Sequence, residues 1–323
     1  MTRRTISLAL AALLAAVAGP PAQAQLPDRP LRIVVPFTPA GTSDIVARIM
    51  ADAAAPQFPR GIVVENRPGA GGNIGVAEVA RAAPDGSTLL QCAFGPCGAN
   101  PALHANTSFD LLRDFRGVIV SAAVRNVMSV RRDLPAATLP ELIALARATP
   151  AGLTYASSGI GASNHLAPEL FRGLAGFNLT HVPYRGSGPA ITDLVGGRVD
   201  IFFDNLPSIL PHIREGRVRA LAAASAERIP QLPDVPTFAE AGVPGMVIDS
   251  WFGFIAPSGT PHATILALNA AFARTLADPA VRERIAATGA IPLGGTAAEA
   301  DAHMRSEVAR WGKVVRDAGI KPE

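Results

Sequence analysis

Two stretches of the chain combine small residues, hydroxyls and a helix start in a way that suits anion binding. The first reads Pro36-Phe37-Thr38-Pro39-Ala40-Gly41-Thr42-Ser43-Asp44, and the second Ala156-Ser157-Ser158-Gly159-Ile160-Gly161-Ala162-Ser163-Asn164-His165. In each, an extended apolar run gives way to a loop without bulky side chains, after which Ser, Thr, Asp or Asn opens a helical pattern. A helix start leaves four N–H donors unpaired and carries roughly half a positive charge. It can hold a carboxylate, sulfate or phosphate without a charged side chain, and small residues let the anion come close. Plain helix capping explains one such loop equally well; two of them make a stronger sign.

Other segments offer less. His181-Val182-Pro183-Tyr184-Arg185-Gly186-Ser187-Gly188-Pro189 has the same strand-loop-helix form, with Arg185 either reaching an anion or simply solvated. Asp204-Asn205 ends the apolar run Ile201-Phe202-Phe203, where a carboxylate can accept an ammonium group or cap the next turn. The stretch from Asn66 to Gly75 has the look of a dinucleotide fingerprint, but Ile74 occupies the place of the third glycine, which leaves a structural turn. His165 and Glu169 share a helix face with no third ligand nearby, so neither a metal nor a cofactor is expected. There is no G-x-S-x-G elbow, P-loop or H-E-x-x-H. Ser158 or Ser163 with His165 would supply a hydrolase, yet they share one helix start and lack a third residue to orient the base. No catalytic residue is expected.

Cys92 and Cys97 are separated by four residues, Gly95-Pro96 among them, whereas a C-x-x-C redox motif has two. A local disulfide is the first expectation in an oxidising compartment, with two buried thiols as the alternative. Closing so short a loop adds only modest stability.

The elements that must position these residues follow from hydrophobic periodicity. Strands are expected at 31–37, 62–65 and 88–93, with helices at 42–55 and 73–83 between them. A second series has strands at 126–130, 153–156, 179–184, 199–203 and 219–223. Its helices are at 138–149, 163–174, 189–195 and 208–215. After a proline-rich stretch, a strand at 251–256 leads to helices at 261–276, 279–288 and 296–318. This alternation implies α/β architecture with parallel strands and crossover helices. Two lobes would leave a cleft at the carboxyl ends of the strands, where such sheets bind ligands.

Composition sets the outer bounds. The chain has 323 residues, 49% apolar and 17% charged, which excludes a disordered protein and suggests about two domains. The formal charge is +3, with Arg3 and Arg4 supplying two of those units, and aromatics make up 5%. There is no basic stripe and little to stack on bases, so nucleic acid is not an expected partner. Thr2-Arg3-Arg4, an apolar run over 6–17 and Ala22-Gln23-Ala24 read as a secretory signal peptide over 1–24. The mature chain would then be soluble and exported to a bacterial periplasm.

Taken in order, these residues resemble the periplasmic solute-binding proteins of tripartite tricarboxylate transporters, the TctC-like or Bug proteins. The segments that carry the likeness are Arg29-Pro30-Leu31-Arg32-Ile33-Val34-Val35-Pro36-Phe37, Gly41-Thr42-Ser43-Asp44, Val64-Glu65-Asn66-Arg67-Pro68-Gly69-Ala70-Gly71-Gly72-Asn73 and Ala83-Pro84-Asp85-Gly86. They continue with Tyr155-Ala156-Ser157-Ser158-Gly159-Ile160-Gly161, His181-Val182-Pro183-Tyr184, Asp204-Asn205, Asp234-Val235-Pro236-Thr237, Trp311-Gly312-Lys313 and Ala318-Gly319-Ile320.

The resemblance implies a type II periplasmic-binding-protein fold, a two-lobe Venus flytrap. Lobe 1 would be discontinuous, over 25–123 and 250–323, and lobe 2 would span 124–249. It implies a monomer that binds a small carboxylate or amino acid and delivers it to membrane permease subunits. A sensor that presents the ligand to a membrane receptor is the alternative, ahead of a secreted hydrolase. The family's ligand loops fall on Phe37, Ala40, Gly41, Thr42, Ser43 and Asp44, and on Ser157, Ser158, Gly159, Gly161, Ala162, Ser163, Asn164 and His165. Asp204 lies in a segment that helps set selectivity, above all for ligands with an amine. Two departures stand out. Ala40 occupies a position where the family commonly has glycine, so a positive φ there would be strained. The segment from Cys92 to Gly98 is also unusual, with two cysteines near a third strand end that is a candidate to line the cleft.

Overall fold

The computed structural model describes residues 26–104 and 107–317, so the expected signal peptide lies outside the described residues. The strands are β1 (Leu31–Val35), β2 (Ile62–Asn66), β3 (Thr88–Ala93), β4 (Phe115–Arg131), β5 (Leu153–Ser157), β6 (Leu179–Pro183), β7 (Ile201–Asn205), β8 (Val218–Ala223), β9 (Asp249–Pro257) and β10 (Ile291–Gly294). The helices are α1 (Thr42–Ala54), α2 (Asn73–Ala80), α3 (Asn100–Leu103), α4 (Leu111–Asp114), α5 (Leu139–Arg147), α6 (Ser163–Ala175), α7 (Ser187–Val195), α8 (Leu206–Arg214), α9 (His262–Ala277), α10 (Pro279–Ala287) and α11 (Ala297–Asp317). Among the described residues, no helix is long and apolar enough to cross a membrane.

The strands form one curled sheet in the order β2-β1-β3-β9-β4-β7-β5-β6, with β8 and β10 also pairing β4. The expected parallel pairing holds for β1 with β2 and β3, and for β5 with β6 and β7. It fails for β9 and β4, which run antiparallel to their neighbours. The strand expected at 126–130 is the end of the 17-residue β4. Its first part pairs with β9, and its last six residues pair with β7 and β8. β4 therefore crosses from one lobe to the other, which no local periodicity announces.

Each half has apolar layers on both faces of its strands, and the central strands are buried almost continuously, as expected when helices cover both sides. In the first half, α1, α9 and α10 pack Val46, Met50, Phe272 and Ile285 onto one face. On the other, Val76 and Val79 of α2 and Ala300 and Met304 of α11 meet both cysteines. In the second half, α5 and α6 bury Leu142, Leu166 and Phe171 against Tyr155 and Phe203. Opposite them, Ile191 and Leu194 of α7 pack with Phe202. The second core also takes in Phe94, Ala99, Leu103, Trp311 and Val315, side chains from sequence segments that otherwise belong to the first half.

Candidate functional site

Four helix starts meet on one cavity. Its wall is formed by Phe37, Gly41, Thr42, Ser43, Ala93, Phe94, Gly95, Ser158, Ala162, Ser163, Ser187, Asn205 and Phe252. Gly41 and Ala162 are the N-caps of α1 and α6. Ser187 is the first residue of α7, and Asn205 caps α8. The wall carries no Asp, Glu, Lys, Arg or His. Its polarity comes from hydroxyls, one amide and backbone N–H groups. Two of its polar atoms, Ser43 Oγ and Asn205 Oδ1, are buried with no protein partner.

The loop before α1 is held from below by charge. Asp44 accepts hydrogen bonds from the Ala40 N–H at 3.1 Å, from Arg48 Nε at 3.0 Å and from Asn66 Nδ2 at 3.0 Å. Its carboxylate is thus used to shape the loop and does not line the cavity. Ala40 has φ +67°, the left-handed conformation that glycine adopts freely and alanine does not. The conditional expectation from sequence therefore applies, and the Asp44 contact holds the alanine there.

The loop before α6 is held by neutral groups. Asn164 Oδ1 accepts from the Ser158 N–H at 2.9 Å and from its hydroxyl at 3.0 Å. Ser163 Oγ donates to Asn126 Oδ1 at 3.3 Å. Gly161 N–H donates to His165 Nδ1 at 3.3 Å, and Ser157 Oγ lies 2.6 Å from His181 Nε2. Ser158 and Ser163 therefore spend their hydroxyl protons on amide oxygens, and neither is paired with His165 as a hydrolase would need. Glu169 accepts from the Tyr155 hydroxyl at 2.8 Å and pairs with Arg172 at 2.7 Å. No group of three or more His, Cys, Asp or Glu among the described residues is arranged to hold a metal ion.

Asp204 is fully buried behind the cavity wall. Its Oδ1 accepts from Ser187 Oγ at 2.9 Å and Asn164 Nδ2 at 3.3 Å, and its Oδ2 from Ser208 Oγ at 2.5 Å. Burial pushes its carboxyl up to about 6, against the pull of these donors. Ser208 Oγ is also 2.9 Å from Thr42 Oγ1 of α1, so a chain of hydroxyls links this carboxylate to the opposite lobe.

Backbone also meets across the seam between the lobes. Thr38 N–H donates to the Arg185 carbonyl at 3.4 Å. A Cβ on Gly71 would lie 2.4 Å from the Ile160 carbonyl oxygen, and one on Gly186 would overlap Thr38 Oγ1. The glycine-rich stretch read from sequence as a structural turn is thus part of the seam between lobes.

Of the residues expected from sequence, Phe37, Gly41, Thr42, Ser43, Ser158, Ala162 and Ser163 line the cavity. Ala40, Asp44, Ser157, Gly159, Gly161, Asn164, His165 and Asp204 stand behind or beside it and shape the loops. Sequence reasoning missed Phe252; it placed the stretch from Cys92 to Gly98 near a strand end at the cleft, and Ala93, Phe94 and Gly95 of that stretch are on the wall. Ala93 and Phe252 are register partners in the β3–β9 ladder, so long-range antiparallel pairing brings them together. Arg185 is not on the wall; its neighbour Ser187 is. Cys92 and Cys97 are disulfide-bonded, with Cα atoms 5.8 Å apart.

Two lobes closed over a cavity ringed by helix starts define a solute-binding protein of the type II periplasmic-binding-protein fold. The chain belongs to the tripartite tricarboxylate transporter family receptor (TctC) family, which matches residues 46–320. It is 37% identical over 322 residues to Protein BugT of Bordetella pertussis, covering 99% of each chain. It is 40% identical over 290 residues to the UPF0065 protein in the tcbD-tcbE intergenic region of Pseudomonas sp., covering 90% of this chain and 86% of that one. Among solved structures, R. palustris Rpa4515 with adipate is similar at a TM-score of 0.89 and 39% identity, covering 93% of this chain and all of that chain. MatC from Rhodopseudomonas palustris with bound malate is similar at a TM-score of 0.86 and 35% identity, covering 90% and 100%.

Proposed function

We propose that this chain is an exported, periplasmic binding protein that captures a small carboxylate between its lobes and delivers it, unchanged, to the membrane subunits of a tripartite tricarboxylate-type transporter. In this reading lobe 1 spans 25–123 and 250–323, and lobe 2 spans 124–249. The carrying observation is the meeting of four helix starts on a wall without charged side chains. Each start contributes N–H donors and roughly half a positive charge, which favours an anion. Charge-assisted N–H bonds to a carboxylate are about twice as strong as neutral ones. Phe37, Phe94 and Phe252 offer the rest of the ligand an apolar surface. The adipate and malate held by the two structural relatives fit this class of ligand.

The state of Asp204 narrows the class. The donors around it, three side chains and the Asn205 backbone N–H, are all protein groups, which leaves an ammonium no open carboxylate to meet. The preferred ligand is therefore an acid without an amino group. Calorimetry on matched pairs tests both statements: succinate against aspartate, glutarate against glutamate, and adipate against its dimethyl ester. The amine-free acid should bind at least about tenfold tighter, a difference of about 1.4 kcal/mol. Equal binding of the diester would remove the anion from the account, and equal binding of the amino acid would remove the role given to Asp204. Recovery of the acid unaltered after long incubation is the accompanying check against turnover.

A further inference from the structure

We propose that the Cys92–Cys97 disulfide is a positioning element of the binding site: it fixes the wall segment 93–95 and, through that segment, the helix start on the opposite lobe. Of the four residues enclosed by the two cysteines, three (Ala93, Phe94 and Gly95) line the cavity. Cys92 lies within β3, where it pairs with Gly253 of β9, and is held by the sheet. Cys97 lies beyond the strand, in the single π-helical turn Gly95–Ala99. The covalent link therefore passes the rigidity of the sheet to a turn that has left it. Both cysteines are fully buried in the apolar layer with Val76, Val79 and Met304, and neither is on the cavity wall.

The strip so held faces the other lobe at close range. A Cβ on Gly95 would lie 3.1 Å from Ala162 Cα and 3.2 Å from the Gly161 oxygen, the residues that lead into α6. Just beyond the turn, Asn100 Nδ2 donates to the Gly71 carbonyl at 3.1 Å and to Asn73 Oδ1 at 2.8 Å, tying the end of the turn to the glycine-rich part of the seam. Behind the strip, the Phe94 ring meets the edge of Trp311 with centroids 4.4 Å apart. Phe94 thus has cavity on one side and the C-terminal helix on the other. A shift of the turn would move wall, seam and tryptophan together. The loop is too short for the bond to act chiefly by restricting the unfolded chain.

Hydrogen exchange gives a test that needs no ligand. The comparison is between the mature protein and C92A/C97A, backed by wild-type chain unfolded, reduced and refolded under reductant in case the variant folds poorly. Exchange over 159–166, across the cleft from the cysteines, should accelerate at least about tenfold. A purely local brace would speed exchange only over 92–100, and that result would overturn the proposal. A second readout rests on the binding function proposed above: affinity for whichever of succinate, malate and adipate binds wild type best should fall at least about tenfold in the disulfide-free protein. If wild type binds none of these acids, the functional reading fails while the exchange comparison still decides this one. Unchanged exchange over 159–166 would overturn it whatever the acids do.

Discussion

The loop before α1 is braced by charge, and the loop before α6 by neutral amides and hydroxyls. Both present the start of a helix to the same cavity. The first relies on Asp44, whose partner Arg48 is 46% exposed, and on an alanine held at positive φ. The second relies on Asn164, Ser158, Ser163 and Asn126, all buried. It also places Gly161 at φ +85°, pressed against Asn100 of the other lobe. One backbone task is thus carried out with an adaptable, salt-sensitive brace on one side and a tight, salt-insensitive one on the other.

The largest expected contrast lies between the two loops' glycines. A Cβ at Gly161 would overlap Asn100 Oδ1, and Asn100 is itself tied down by two hydrogen bonds. A Cβ at Gly41 would meet Ser187 Cβ at an ordinary 3.5 Å, and its φ of −80° suits any residue. Gly161→Ala should weaken acid binding by about a hundredfold, close to 3 kcal/mol, while Gly41→Ala leaves it within a few-fold. Equal losses in calorimetry would erase the asymmetry.

Next comes pH, which acts beneath the second loop through Asp204. Its folded value of about 6 lies above the ordinary carboxylate value, so between about pH 4 and 6 the folded chain holds a proton that the unfolded chain has released. This group's contribution to stability therefore rises as pH falls from 6 to 4 and is constant outside that window, for a total of up to about 3 kcal/mol. Melting curves should show this component in wild type and not in Asp204→Asn; the same slope in both would rule it out.

Smaller effects separate the braces. Asp44→Asn and Asn164→Ala should each cost about 1–2 kcal/mol in chemical denaturation, with the first reduced because Arg48 is half exposed. Only the Asp44→Asn cost should shrink as salt rises. Smallest of all, Ala40→Gly relieves the left-handed strain at some cost in unfolded-chain entropy and should stabilise by up to about 1 kcal/mol. A loss of stability there would mean that the Ala40 methyl makes a contact worth more than the strain.

Much of this was legible locally. Both helix starts, their small residues and hydroxyls, and most element positions follow from spacing and capping rules. The helix expected at 279–288 is found at Pro279–Ala287, and Thr138 caps α5. What escaped depends on distant pairing. The first part of β4 contains Gly117, Ser121, Ala122 and Ala123, which weaken any strand pattern, and it is defined by its ladder with β9. Phe252 reaches the cavity only through that same ladder system. The role of Asp44 and Asp204 as internal supports also escaped, because sequence shows a carboxylate but not the donors that surround it.

The sharing of β4 has a mechanical consequence. The strand is hydrogen-bonded to β9 along its first part and to β7 and β8 along its last residues, with Arg125 still paired to Asp249 and Asn126 already paired to Asn205. No slack joint separates the halves. Parting them must twist a continuous ribbon where the pairing changes partner, between Arg125 and Asn126. The gape of the molecule is thus governed by an elastic torque, more like a leaf spring than a door on a pin.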